Sequence, residues 1–280
     1  MIAYPITNFV AEVDDIDLSQ TLSDEQQKNL FELVRKFSVL VFPNQSITQQ
    51  QHIAFAKIFG TVESSIEYNL QGAAPRLPKE LSDVSNLSSQ GEIWTADSSK
   101  RKLILANRLW HTDSSFRNPS ACLTFLHAKS IPPVGGHTEF ADTVAAFEAL
   151  DSLIQNQLRS FTAEHSIINS RNKLGFYSFK QQELDSLPPV YHPIVLTDVE
   201  SGKESLYISS HIGAIQGSHN SEQLLTQLIA HATQRQFVYT HRWRAHDLVV
   251  WNNFKTVHRG TEFDDLKWCR DFQRATVIKN

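Results

Sequence analysis

Cysteine is almost missing from this chain: 280 residues contain two, Cys122 and Cys269, far apart and in no CxxC pair. That argues against a disulfide framework and against a thiolate zinc site. No apolar run approaches the roughly 20 residues that cross a bilayer. Lys and Arg form no cluster long enough to track a phosphate backbone, and the net charge is −4, so neither nucleic acid nor membrane is expected as a partner. Repeats and low-complexity tracts are lacking too. The opening MIAYPITNFVAEVDD turns acidic at once, without the basic and then apolar layout of a secretory signal, so the expected compartment is the reducing cytoplasm. What is present is 41% hydrophobic and 20% charged residues, enough to bury a core as one domain over residues 1–280. Oligomeric state is not legible, and a homo-oligomer stays open. The most informative count is histidine, with 12.

Residue patterns give a mixed opening. Ser23 with Gln26, and Thr48 with Gln51, are capping-box pairs that start two helices. Leu30, Leu33, Val34 and Phe37 continue the first at helical spacing. Between them residues 38–42 read as a strand ended by Pro43. Residues 63–102 are rich in Ser, Asn, Gln, Gly and Pro and only weakly periodic. A loop this long inside a compact domain reads as a lid or insertion over a site, with a plain surface loop as the alternative. Short β-like runs follow at 122–128, 136–141, 194–196, 205–209, 237–240, 248–251 and 274–278. One helix interrupts from near Asp142 to Leu158, another from near Ser221. Many short strands with few helices predict a mainly β, α+β chain of sandwich or jelly-roll type.

Three segments carry chemistry. In Trp110-His111-Thr112-Asp113, residues i and i+2 of a strand face one side, so His111 and Asp113 can reach one metal together. An imidazole and a carboxylate supply two ligands of a 2-His-1-carboxylate triad, which leaves coordination positions open for oxygen and a co-substrate. The pattern is common by chance, and His137-Thr138-Glu139 is a rival. A third ligand can come from His258, placed just past the apolar strand Leu248-Val249-Val250-Trp251; an ordinary turn histidine is the bland alternative. In Arg270-Asp271-Phe272-Gln273-Arg274, the two guanidiniums share a strand face. Buried in that way they call for anions, because Arg binds carboxylates through paired hydrogen bonds and does not shed its charge; a solvated face is the other reading.

Taken in order, WHTDSSF (110–116), GGHTEFAD (135–142), DLVVWNN…HRG (247–260) and RDFQRAT (270–276) make the chain resemble the taurine dioxygenase / 2,4-dichlorophenoxyacetate dioxygenase family. The resemblance runs along nearly the whole chain and is weak over 63–102. It implies a double-stranded β-helix (jelly-roll) core, an Fe(II) centre, 2-oxoglutarate as co-substrate and O2 as oxidant. By the same resemblance, His111, Asp113 and His258 match the iron ligands. Arg270 and Thr138 match the residues that hold the distal carboxylate of 2-oxoglutarate. Arg274 matches the arginine for the acidic group of the prime substrate, and Asn107 a position on the substrate side. The LYISSH segment (206–211) and the stretch from His231 to Trp251 look closer to the phenoxyacetate branch, which makes His211 a further substrate contact. The family's basic lid residues have no alignable counterpart, although Arg101 and Lys102 lie in the right region.

The implied reaction hydroxylates a small acidic substrate while 2-oxoglutarate becomes succinate and CO2. On an ether carbon the product is a hemiacetal, so a phenoxyacetate yields a phenol and glyoxylate. A taurine or alkylsulfonate dioxygenase is the runner-up. A non-enzymatic jelly-roll binding module and a metal-dependent hydrolase are the readings from other classes. If Thr138 points inward, alternation turns His137 and Glu139 outward, away from the metal. His137→Ala is therefore expected to bind iron like the parent protein in an equilibrium titration, whereas His111→Ala loses it; equal loss in both would reverse the assignment.

Overall fold

The computed structural model describes residues 1–65, 75–175, 177, 179 and 181–278. Residues 66–74, inside the expected lid, lie outside the described residues. The chain is mostly β with several helices. Its largest sheet orders Ile2–Pro5, Val10–Asp14, Val39–Phe42, Leu248–Asn252, Leu123–Ser130, Asp271–Ile278 and Thr61–Val62, with Ser82–Asp83 also pairing to Asp271–Ile278. A second sheet orders Val238–His241, Thr138–Asp142 and Thr256–Gly260. A third orders Ile212–Gln216, Thr162–His165 and Val190–Pro193, and Val195–Thr197 pairs with Glu204–Leu206. Among the described residues no helix is long and apolar enough to cross a membrane.

Strand alternation divides the large sheet into two faces. Leu40, Phe42, Phe125, Leu248, Val250, Ala275 and Val277 pack outward in a cluster with Leu30, Phe55 and Ala56 of the first two helices. Those helices, Asp24–Lys36 and Gln49–Lys57, both start in complete capping boxes, at Ser23 with Gln26 and at Thr48 with Gln51. The alternate residues Val39, Val41, Leu126, Val249, Trp251 and Phe272 pack inward with Phe140 of the three-stranded sheet. That sheet's opposite face, through Ala141 and Val257, is covered by residues including Phe147, Leu225 and Leu228 of flanking helices. On Asp271–Ile278 the inward parity of Phe272 also carries Arg274 and Thr276. Side chains of the inner faces are therefore the ones that can meet between the sheets.

Several sequence expectations change. The helix read from near Asp142 to Leu158 is two helices, Thr143–Glu148 capped by Asp142 and Ser152–Leu158 capped by Asp151. Its apolar spacing continued across the break, but the Asp151 side chain takes the Leu153 N–H and starts a new helix there. Residues 63–102 are not featureless: they hold Ser82–Asp83 and the start of helix Ser99–Leu105. His258 lies within its own strand, Thr256–Gly260, rather than just past the preceding one.

Three histidines away from the proposed ligands are buried and neutral. Burial, with neighbouring His127, pushes His52 down to about 3; burial and Lys129 push His127 to about 4; burial and His192 push His165 to about 3. An unfolded chain takes up these protons near pH 6.5, while the folded chain resists until far lower pH. Their stability contribution is complete above pH 6.5 and is lost as pH falls from there toward the folded values of about 3 to 4. Stability measured by urea unfolding is expected to fall below pH 6.5 by up to about 1.4 kcal/mol per pH unit for each histidine, and His127→Gln to flatten the slope.

Candidate metal centre and substrate cavity

His111 and His258 exchange both backbone hydrogen bonds, His111 N to His258 O at 2.9 Å and His258 N to His111 O at 2.8 Å. This isolated antiparallel bridge brings the two rings to a centroid distance of 4.2 Å. Extended pairing stops there. Asp113 sits in a turn, followed by Ser114 at φ 52°, so it does not share a strand face with His111 as the i, i+2 argument supposed. The turn still delivers its carboxylate: Oδ1 is 3.9 Å from His111 Nε2, and Oδ2 is 3.6 Å from His258 Nε2. One ligand atom from each residue lies within 4.8 Å of the others, and all three residues are buried.

Electrostatics suit this set to a cation. Burial lowers both imidazoles, against the pull of Asp113, so they stand neutral. Burial works to raise the Asp113 carboxyl, but the charge of Arg274, the two imidazoles and a hydrogen bond from Thr124 outweigh it and hold it below its ordinary value. His111 Nδ1 lies 2.7 Å from the Leu109 carbonyl, which can only accept. The ring proton is thus on Nδ1, and the Nε2 lone pair faces the cluster. Arg274 Nη1 is ion-paired with Asp113 Oδ1.

The rival pair goes elsewhere. Thr138 is buried, while His137 and Glu139 on either side are half-buried. Glu139 stands opposite Arg259 in the ladder and binds its Nε at 2.7 Å, and Arg259 lies over the Trp110 ring.

Thr138 Oγ1 accepts from the Trp243 indole N–H at 3.0 Å. Arg270 lies over Phe272, 3.8 Å from ring centroid to guanidinium carbon, and its Nε donates to Gly136 O at 3.1 Å. Gly136, at φ 66°, is needed for its own turn and for close packing on Pro132, where a Cβ would stand 2.6 Å from the proline ring. Among the described residues no carboxylate is within ion-pair distance of Arg270. Burial, with Arg108 nearby, pulls it down to about 10, so it keeps its charge at neutral pH.

A cavity of about 580 Å³ opens beside the cluster, and His111, Asp113, Asn107, His211 and Arg274 line it. Much of its remaining wall comes from residues 63–65 and 75–104. Thr138, Arg270 and His258 are not on that wall. His211 is buried, edge-on to Phe116 at 4.9 Å, with Nδ1 2.9 Å from Ser170 Oγ. Burial, His111 and Arg171 keep it neutral.

Sequence reasoning missed the residues that tie these parts together. Asn86 accepts the Arg270 N–H at 2.8 Å and donates to Asp265 O and Trp268 O at 2.7 and 2.8 Å. Arg76 bridges Asp83 and Asp271, and Asp265 binds both Arg101 and Arg108. The cavity-lining stretch is thereby pinned around Arg270. Thr124, Trp251, Asn253 and Trp243 were missed too. The one available signal was a polar residue at a core parity of an apolar strand, as in Leu123-Thr124-Phe125.

Comparison with known proteins agrees with this geometry. Residues 3–276 match the family described as taurine catabolism dioxygenase TauD, TfdA family. The chain is 40% identical over 272 residues to the alpha-ketoglutarate-dependent 2,4-dichlorophenoxyacetate dioxygenase of Cupriavidus pinatubonensis, covering 96% of this chain and 94% of that one. It is 33% identical over 239 residues to the (S)-phenoxypropionate/alpha-ketoglutarate-dioxygenase of Sphingobium herbicidovorans, covering 82% and 78%. Among solved structures, AAD-2 in complex with Mn(II) and N-oxalylglycine superimposes with a TM-score of 0.92 at 38% identity, covering 100% of this chain and 98% of that one. The chain belongs to the TauD/TfdA dioxygenase family.

Proposed function

We propose that the chain is an Fe(II)- and 2-oxoglutarate-dependent dioxygenase that hydroxylates an aryloxyalkanoate at the carbon bearing the ether oxygen. The hydroxylated product collapses to a phenol and an oxo acid, with succinate and CO2 released alongside. The observation that carries this reading is the convergence of two neutral imidazoles and one ionised carboxylate at the edge of a cavity that also holds a guanidinium. That donor set fits Fe(II), with His111, Asp113 and His258 as its ligands. Iron bound there supplies the oxidising chemistry that couples O2 and 2-oxoglutarate to attack on a C–H bond.

The chain's own residues do the positioning. Arg270, stacked on Phe272 and without a carboxylate partner among the described residues, takes the distal carboxylate of 2-oxoglutarate through paired hydrogen bonds. Thr138 assists: its oxygen already accepts from Trp243, so its hydroxyl proton is left to donate to that carboxylate. Arg274 takes the substrate acid. Its Nη1 is engaged by Asp113, but its buried Nε has no hydrogen-bond partner among the described residues, which suits an incoming anion. Asn107 and His211 border the rest of the substrate. The two facing sheets act as the halves of a double-stranded β-helix in one domain over 1–280, with 63–102 as its lid. Exclusion of water by that lid strengthens every charge contact inside. The thiol-poor composition fits a cytoplasmic enzyme.

Succinate release measured across phenoxyacetates, other aryloxy acids and taurine tests the substrate class. Oxygen-dependent succinate with aryloxy acids is expected; stimulation by taurine alone would move the enzyme to the sulfonate branch.

A further inference from the structure

Thr124 and Asn253 are polar side chains in the apolar centre of the molecule, 0% and 1% exposed. A hydroxyl and an amide so placed cost stability unless their groups are hydrogen-bonded, and valine or leucine would fill the same space without that demand. Their bonds form one closed ring. The backbone N–H of Asp113 and the indole N–H of Trp251 both donate to Asn253 Oδ1, at 3.2 and 3.1 Å. Neither of those nitrogens accepts, so the amide orientation is settled. Asn253 Nδ2 then donates to Thr124 Oγ1 at 2.9 Å. The single hydroxyl proton of Thr124 is left for Asp113 Oδ2, also at 2.9 Å. The ring starts at the Asp113 N–H and ends on the Asp113 carboxylate, and it runs in one direction only.

We infer that Thr124 and Asn253 are positioning residues that orient the Asp113 carboxylate for the metal. This rests on the proposal that Asp113 is an iron ligand. The need for them follows from the backbone. Asp113 lies in a turn, beyond the last ladder bond at His111, and the next residue is at positive φ. Nothing regular in the turn sets the carboxylate's rotation. Thr124 lies mid-sheet, directly opposite Trp251 on one neighbour and Thr276 on the other. Asn253 is fixed by its own N–H to Cys122 O at 2.9 Å. The ring transfers the rigidity of the large sheet to a side chain carried by a turn. Thr124 spends one lone pair of Oδ2, and Arg274 sits on Oδ1, so the carboxylate is held from both ends before a metal arrives.

Mn(II), which binds such sites without redox turnover, is the probe, titrated by the electron paramagnetic resonance signal of the unbound ion. Thr124→Val keeps the shape and removes the hydroxyl; it is expected to bind Mn(II) about 10 to 100 times more weakly. Thr124→Ser restores the hydroxyl and returns affinity close to the parent's, and Thr124→Cys, a weaker donor of similar size, falls between. The graded series keeps the test decisive if the valine variant unfolds on heating too early to be titrated. Parental affinity in Thr124→Val, or equal loss in Thr124→Ser and Thr124→Val, overturns the inference while leaving the iron site standing. Failure of the parent protein to bind Mn(II) overturns both; binding by the parent that disappears in His111→Ala shows that the site itself is sound.

Discussion

Two backbone hydrogen bonds between His111 and His258 hold the site together. They join a segment with no regular structure of its own to the three-stranded sheet, and in doing so fix the distance between the two imidazoles. Everything else is arranged about that pair. Phe140 stands opposite His258 in the ladder and stacks on its ring at 6.0 Å, and Trp251 lies 4.6 Å away on the other sheet. The apolar contacts exclude water, which keeps the rings neutral and strengthens their interaction with any cation.

Charge follows the same division of space. Arginines whose work is structural have carboxylates: Arg76 with Asp83 and Asp271, Arg101 and Arg108 with Asp265, Arg259 with Glu139. Among the described residues the Arg270 guanidinium lies between these pairs with aromatic and carbonyl contacts only. Burying a guanidinium in that way is costly until an anion comes, so the site is built to favour one. Arg274 differs, since Asp113 already engages one of its nitrogens. Under the proposed roles of Arg274 and Asp113, substrate acid and metal bear on the same carboxylate, which would couple their binding through a single side chain.

Local patterns made a good part of this legible. The capping pairs at Ser23 and Thr48 are local chemistry and define real helix starts. Alternation along Gly136–Ala141 separated Thr138 from His137 and Glu139, because a strand has only two faces. His111, Asp113 and His258 were named from an ordered set of motifs. What stayed hidden depends on long-range contact. The turn at Asp113 is tied to Asn253, 140 residues away, and the Arg274 pairing spans 161 residues. The stretch 63–102 read as loose because its anchors, Asp265, Arg270 and Asp271, come from the far end of the chain. The apolar spacing over 144–158 hid a helix break because the spacing survives the change of axis.

The central claim is that His111, Asp113 and His258 hold an iron that accepts 2-oxoglutarate. Its most direct test is the visible spectrum of the protein with Fe(II) under anaerobic conditions, before and after 2-oxoglutarate is added. A weak charge-transfer band that appears only with both, and is absent from His258→Ala, is the predicted result. A folded parent protein that shows no band at saturating Fe(II) and 2-oxoglutarate would contradict the account.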